Sequence, residues 1–414
     1  MDYQYSQLPN GIRVIHKQVP ANVAHLGVII DAGTRDELPH QSGLAHLIEH
    51  MIFKGTHRRK AFHILSRLEN VGGELNAYTS KEETCVYASF LHAHYPRAME
   101  LFADIITQST YPDKELEKEK DVVIDEINSY KDNPSELIFD DFEELLFRDH
   151  PMGRNILGTP ESLKKLRRPD IMEFLHRNYQ PQHMVISSVG NISLNRLLVL
   201  INKNFGFLTG NEERATRLPV GAYQPAIRTE TLSNFQAHCI IGAPAYDVFD
   251  EKKTALALLI NILGGPGMNS RLNLNIREKY GYCYNIEAHY HPYSDGGYFN
   301  IYLGTDMEYL EKTVKLALKE INLMRTTRLG ALQLHRAKLQ IAGQLAIALE
   351  SNAGEMISMG KSHLYFEKVD SYRQVMEKIN ALTDVRLLEA ANEIFDTSQL
   401  SRLTFVPQHE DFEK

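Results

Sequence analysis

Apolar positions along this chain switch between continuous runs, alternation and helical spacing, and the switches mark its elements. Residues 3–18 read as two strand-like segments about the turn signal Pro9-Asn10-Gly11. Residues 24–31 (AHLGVIID) form an apolar run that predicts a buried strand, ended by Ala32-Gly33-Thr34. A polar connection at 36–40 leads into a helix, and a second helix over 60–71 is stopped by Gly72-Gly73. Residues 74–79 (ELNAYT) and 84–91 (TCVYASFL) read as a hairpin-like pair of strands joined by Ser80-Lys81-Glu82-Glu83. Amphipathic helices follow at 94–109, 114–130 and 135–147, with shorter helical stretches near 161–166 and 170–178. A strand at 184–189 and a helix at 194–204 close the first half.

Residues 209–224 (TGNEERATRLPVGAYQ) are polar and rich in Gly and Pro, which reads as a linker. Beyond it the order of elements recurs: strand-like segments near 227–232 and 238–242, a helix at 251–263, strands near 284–291 and 297–303, and long helices at 306–325 and 330–350. The division expected is a first domain over 1–210, a linker over 211–225 and a related second domain over 226–414. The fold class expected is α+β, two similar domains that each carry an antiparallel-rich β-sheet covered by helices.

A chain of 414 residues exceeds one ordinary hydrophobic core, which agrees with that division. Hydrophobic content of 43% and charged content of 24% are those of a globular protein. A net charge of −8 argues against a nucleic-acid partner, which selects a basic surface. No apolar run approaches the roughly 20 residues that span a bilayer, and Met1-Asp2-Tyr3-Gln4-Tyr5 does not open a signal peptide. Cys85, Cys239 and Cys283 are too few and too scattered for a disulfide framework or a zinc cluster, so a reducing cytoplasm is expected.

The chemistry concentrates in Ala45-His46-Leu47-Ile48-Glu49-His50-Met51. On a helix, residues three and four apart share a face, so His46 and His50 stand side by side with the Glu49 carboxylate close to both. Two neutral imidazoles one turn apart suit zinc, and the carboxylate suits a general base. The plain alternative is a helix with two surface histidines. Within 114–130 most charges read as a solvated face, but Glu126 lies in the apolar run Val122-Val123-Ile124-Asp125-Glu126-Ile127, where a carboxylate needs a positive partner such as a metal ion. Laid over the first motif, the second-half helix Ala257–Leu263 replaces the histidines with Leu258 and Ile262 and the glutamate with Asn261, and Gln344 falls near the place of Glu126. His63, His92, His94, His289 and His291 have no carboxylate at ligand spacing and read as surface or structural residues.

With these motifs in view, the chain resembles the pitrilysin–insulysin–mitochondrial processing peptidase superfamily of inverted zincins, and in size its short bacterial members. The resemblance spans almost the whole chain. It implies Zn2+ held by His46, His50 and Glu126, which stands 76 residues after His50, with Glu119 supporting the site. It implies Glu49 as the base, and Gly73, Asn76, Ala77 and Tyr78 as an edge strand that receives substrate backbone by strand addition. It also implies that Arg277 and Tyr284, in LNIREKYGYCY, steady the substrate carbonyl and the tetrahedral intermediate. The glycine-rich Leu263–Met268 is similar to a loop of that family and lacks the Lys-Ser/Thr ending of a phosphate loop.

The expected activity is that of a zinc metalloendopeptidase acting on unfolded peptides in a dimeric chamber. The homodimer would complete its sites in trans, with neither nucleic acid nor membrane as partner. A heterodimer with another subunit, a non-catalytic subunit of the same fold, and a metal-dependent hydrolysis of another amide stay open at the level of sequence.

Overall fold

Two mixed β-sheets organise the computed structural model, which describes residues 3–210 and 216–408. The first sheet contains β1 (Gln4–Gln7), β2 (Arg13–Gln18), β3 (Val23–Ile30), β4 (Glu74–Thr79), β5 (Thr84–Leu91) and β6 (Met184–Gly190), in the order β1-β2-β6-β3-β5-β4. The second contains β7 (Ile227–Leu232), β8 (Ala237–Ala245), β9 (Cys283–Pro292), β10 (Gly297–Thr305) and β11 (Ser401–Pro407), in the order β7-β11-β8-β10-β9. Each sheet has one parallel pair, β2/β6 and β7/β11, and is otherwise antiparallel. Without β1 the two orders match strand for strand, so the repetition seen in the sequence is a repeated topology.

The helices are α1 (Leu44–Met51), α2 (Ala61–Glu69), α3 (Tyr95–Thr107), α4 (Asp113–Lys131), α5 (Pro134–Leu146), α6 (Pro160–Lys165), α7 (Arg168–Asn178) and α8 (Leu194–Phe205) in the first half. In the second half they are α9 (Lys253–Gly264), α10 (Leu310–Thr326), α11 (Ala331–Ala348), α12 (Asn352–Phe366), α13 (Tyr372–Asn380) and α14 (Asp384–Ile394). Two compact units result, and they interleave along the chain. One comprises Met1–Ile127, Arg154–Leu218 and Ile347–Ser371; the other comprises Asn128–Gly153, Pro219–Ala346 and Tyr372–Lys414.

The interleaving comes from two helices that join the sheet of the opposite half. In the first unit, α12 lays Met356 and Met359 against Ile15, Ile29, Val185 and Val189, all buried. Gly360 of α12 permits this close approach, because a Cβ there would meet Ser187 Cβ at 2.9 Å and Ile29 Cδ1 closer still. Ser187 Oγ adds a hydrogen bond to the Met356 carbonyl at 2.5 Å. In the second unit, α5 buries Ile138, Phe142, Leu145 and Leu146 against Ile240, Tyr298, Leu403 and Phe405. Each of these helices has an apolar stripe that its own half of the sequence leaves uncovered.

Within the expected linker, residues 211–215 lie outside the described residues. Arg217, just beyond them, is fixed: Nε and Nη2 donate to the two Asp36 carboxylate oxygens at 2.8 Å each, and Nη2 lies 2.9 Å from Asp31 Oδ1.

Candidate metal centre

The motif helix α1 begins at Gly43, whose φ of +88° and close approach to the Leu157 carbonyl leave no room for a side chain. No side chain at that position caps the helix. The buried Glu37 carboxylate does so from the preceding loop, accepting from Ala45 N–H at 2.8 Å and Gly43 N–H at 3.1 Å. This supplies acceptor oxygens where the helix start leaves backbone donors unpaired. Burial pushes Glu37 up to about 8, against the pull of those two N–H groups.

His46, His50 and Glu126 each offer a ligand atom within 4.8 Å of the others. Glu126 Oε2 lies 3.9 Å from His46 Nε2 and 3.6 Å from His50 Nε2. Ligands about 2.0–2.1 Å from a tetrahedral ion stand roughly 3.4 Å apart, so a small inward adjustment seats one. Burial, reinforced by His50, pushes His46 down to about 3, which keeps it neutral with a lone pair to give. His50 Nδ1 is hydrogen-bonded to Glu119 Oε1 at 3.0 Å, which leaves Nε2 facing Glu126 and would fix the ring as a metal ligand. Burial lowers the His50 pKa, but Glu119 and the charges of Glu126 and Glu49 outweigh it and raise the ring above its ordinary value. Lys54 Nζ pairs with Glu119 Oε2 at 2.7 Å. Burial works against the Glu119 anion, yet His50 and Lys54 hold its pKa below the ordinary value. The donor set, two imidazoles and a carboxylate with an outer carboxylate behind one ring, fits zinc.

Glu126 is not selected by burial. Its side chain is 34% exposed, and Val122 beside it is 48% exposed, so the apolar run that singled it out is only partly interior. Its position against both imidazoles is what marks it.

Glu49 is half-buried, and desolvation raises its pKa, while Thr79 and His50 pull the other way. Thr79 Oγ1 donates to Glu49 Oε2 at 2.7 Å. Thr79 ends β4, the terminal strand of the first sheet. Ser80 N–H bonds to the Glu83 carbonyl, and residues then alternate along the β4/β5 ladder. Asn76 and Tyr78 therefore bond inward to β5, and Leu75, Ala77 and Thr79 turn their backbone N–H and C=O groups to the open edge. Tyr78 donates to Glu83 Oε1 at 3.2 Å and lies over Tyr87 with ring centroids 6.2 Å apart. Gly73, just before β4, bonds through its N–H to the Leu68 carbonyl at the end of α2.

Two family descriptions match the sequence: Insulinase (Peptidase family M16) over residues 13–160, and Peptidase M16 inactive domain over residues 165–341. An uncharacterized zinc protease of Bacillus subtilis, YmxG, is 33% identical over 392 residues, covering 93% of this chain and 94% of that one. The chain belongs to peptidase family M16. An uncharacterized zinc protease of Rickettsia bellii is 30% identical over 418 residues, covering 97% of both chains. Among solved structures, a peptidase M16 inactive domain from Pseudomonas fluorescens superposes with a TM-score of 0.92 at 22% identity, covering 99% of each chain.

In this M16 chain Arg277 and Tyr284 lie in the second unit. Arg277 sits on a π-helical turn (Asn273–Glu278) with its side chain 42% exposed. Tyr284 is exposed on β9, the terminal strand that matches β4 in the repeated topology. Helices α9 and α11, the counterparts of α1 and α4, bring Asn261 and Gln344 together, with Asn261 Nδ2 donating to Gln344 Oε1 at 2.6 Å. An amide pair thus occupies the place of Glu49 and Glu126 in the second copy. One further grouping, His40 with Asp170 and Glu173, also has ligand spacing, but His40 is exposed and its pairing to Asp170 is 3.8 Å long.

Thr79, Lys54 and Glu37 were not among the residues the sequence singled out. For Lys54 the signal is nearness in sequence alone, four residues after His50 and three past the end of α1. For Thr79 it is strand alternation with Ala77. Glu37 has none, because it reaches the helix start from a loop.

Proposed function

We propose that this M16 chain is a zinc-dependent endopeptidase that hydrolyses unfolded peptides or extended protein segments. The observation that carries the reading is the grouping of His46, His50 and Glu126 beside a half-buried Glu49, next to a strand with an open edge. The relatives' description as zinc proteases supports both metal and reaction. His46, His50 and Glu126 would hold the ion, which when bound supplies Lewis acidity to a water and to a carbonyl. An extended peptide adds to β4 through the outward backbone groups of Leu75, Ala77 and Thr79, with Gly73, Asn76 and Tyr78 shaping the strand. Glu49 takes a proton from the attacking water and returns it to the leaving amine.

Arg277 and Tyr284 supply a guanidinium and a phenol to the developing oxyanion. In the proposed homodimer they come from the partner subunit, and the two subunits form the chamber. Three buried free thiols accord with a reducing cytoplasm.

A library of unstructured peptides tests the reaction. Cleavage is expected from the purified chain, lost on chelation and restored by zinc; zinc-loaded protein that leaves every peptide intact would refute it. Mixing tests the completion in trans. Glu49→Gln and Arg277→Ala chains, each inactive alone, should regain about a quarter of the wild-type rate after subunit exchange, because half the dimers are mixed and each has one intact site. No recovery despite verified exchange would put both parts of the site in one subunit.

A further inference from the structure

A general base must meet its proton in one orientation, and a glutamate with three rotatable torsions does not hold one unaided. Among the described residues, Thr79 is the one hydrogen-bond donor to the Glu49 carboxylate, through Oε2 at 2.7 Å. Thr79 is itself well anchored. Its neighbour across the ladder, Thr84, donates to the Ala32 carbonyl at 2.8 Å. The turn that follows carries Lys81, Glu82 and Glu83, and all three are buried although turns of this polarity are normally solvated. Lys81 Nζ donates to the Arg154 carbonyl at 2.6 Å, Glu82 accepts from Arg35 Nη1 at 2.6 Å, and Glu83 pairs with Lys361 Nζ at 2.5 Å. A β-branched side chain on a backbone held this way has little freedom about χ1.

We propose that Thr79 is a positioning residue for proton transfer, fixing the Glu49 carboxylate through Oε2 so that Oε1 exchanges the proton. This inference rests on the peptidase reading. In the first transfer an O–H bond of the attacking water breaks as Oε1–H forms. In the second, Oε1–H breaks as an N–H bond forms on the departing amine and the C–N bond opens. Oε2 remains an acceptor in both states of Glu49, so the Thr79 hydrogen bond persists through both transfers. A single side chain at the end of the substrate strand then serves the reaction through Glu49.

The test compares Thr79→Val, which removes the hydroxyl at nearly constant shape, with Thr79→Ser, which keeps it. Expected for Thr79→Val is one zinc per chain, a wild-type melting temperature, KM within about twofold, and kcat about 10- to 100-fold lower on an unstructured peptide. Thr79→Ser should return kcat to within about threefold of wild type. The inference fails if Thr79→Val keeps its kcat, if its loss parallels lost zinc, if only KM changes, or if serine does not rescue. Wild-type protein that cleaves no peptide would overturn the peptidase reading, and this inference with it.

Discussion

Replacing Glu49 with Gln is expected to lower kcat by about 10²- to 10⁴-fold while one zinc per chain stays bound. Glutamine keeps the size of the side chain and an oxygen able to accept from Thr79 Oγ1, so the local packing at α1 and β4 survives. What it loses is a basic site for the proton. His46, His50 and Glu126 are untouched, which separates metal retention from turnover. Metal analysis beside peptide cleavage checks it: zinc retained with full activity would remove Glu49 from the reaction.

His50→Ala is expected to abolish both zinc binding and cleavage. His50 is engaged on both sides, with Nδ1 on Glu119 and Nε2 facing Glu126. Its loss leaves two ligands and frees Glu119, already paired to Lys54 at 2.7 Å, from its role behind the ring. A ligand at a thousandfold its Kd stabilises the folded state by about 4 kcal/mol. Zinc should therefore raise the melting temperature of the wild type by several degrees and leave that of His50→Ala unchanged. Glu119→Gln is the graded control, because an outer partner costs about 10- to 100-fold in metal affinity rather than all of it. If His50→Ala still melts higher with zinc, the ion is held elsewhere.

The features legible in the sequence were those encoded over short distances. The H-x-x-E-H spacing places His46, Glu49 and His50 on one side of α1 because a helix turns every 3.6 residues. Strand alternation and Gly72-Gly73 located β4 and β5, which span the residues expected. The Leu258/Asn261/Ile262 register anticipated a second copy without ligands, and the Asn261–Gln344 hydrogen bond is what stands there. Glu126 was found through family spacing; its apolar neighbours were a weaker guide, since the carboxylate is one-third exposed.

Sequence alone thus determined which faces are apolar and which residues share a turn or a strand edge, since those follow from backbone periodicity. It did not determine which distant segment covers each face. The exchange of α5 and α12 between sheets was decided by shape, as at Gly360 against Ile29 and Ser187. The same holds for charge. Lys81, Glu82 and Glu83 read only as the connection of a hairpin-like pair, and they are buried because the Arg154 carbonyl, Arg35 and Lys361 reach them from elsewhere in the chain. Glu37 at the start of α1 and Thr79 on Glu49 are likewise products of tertiary packing, because a hydrogen bond between remote residues leaves no period in the sequence.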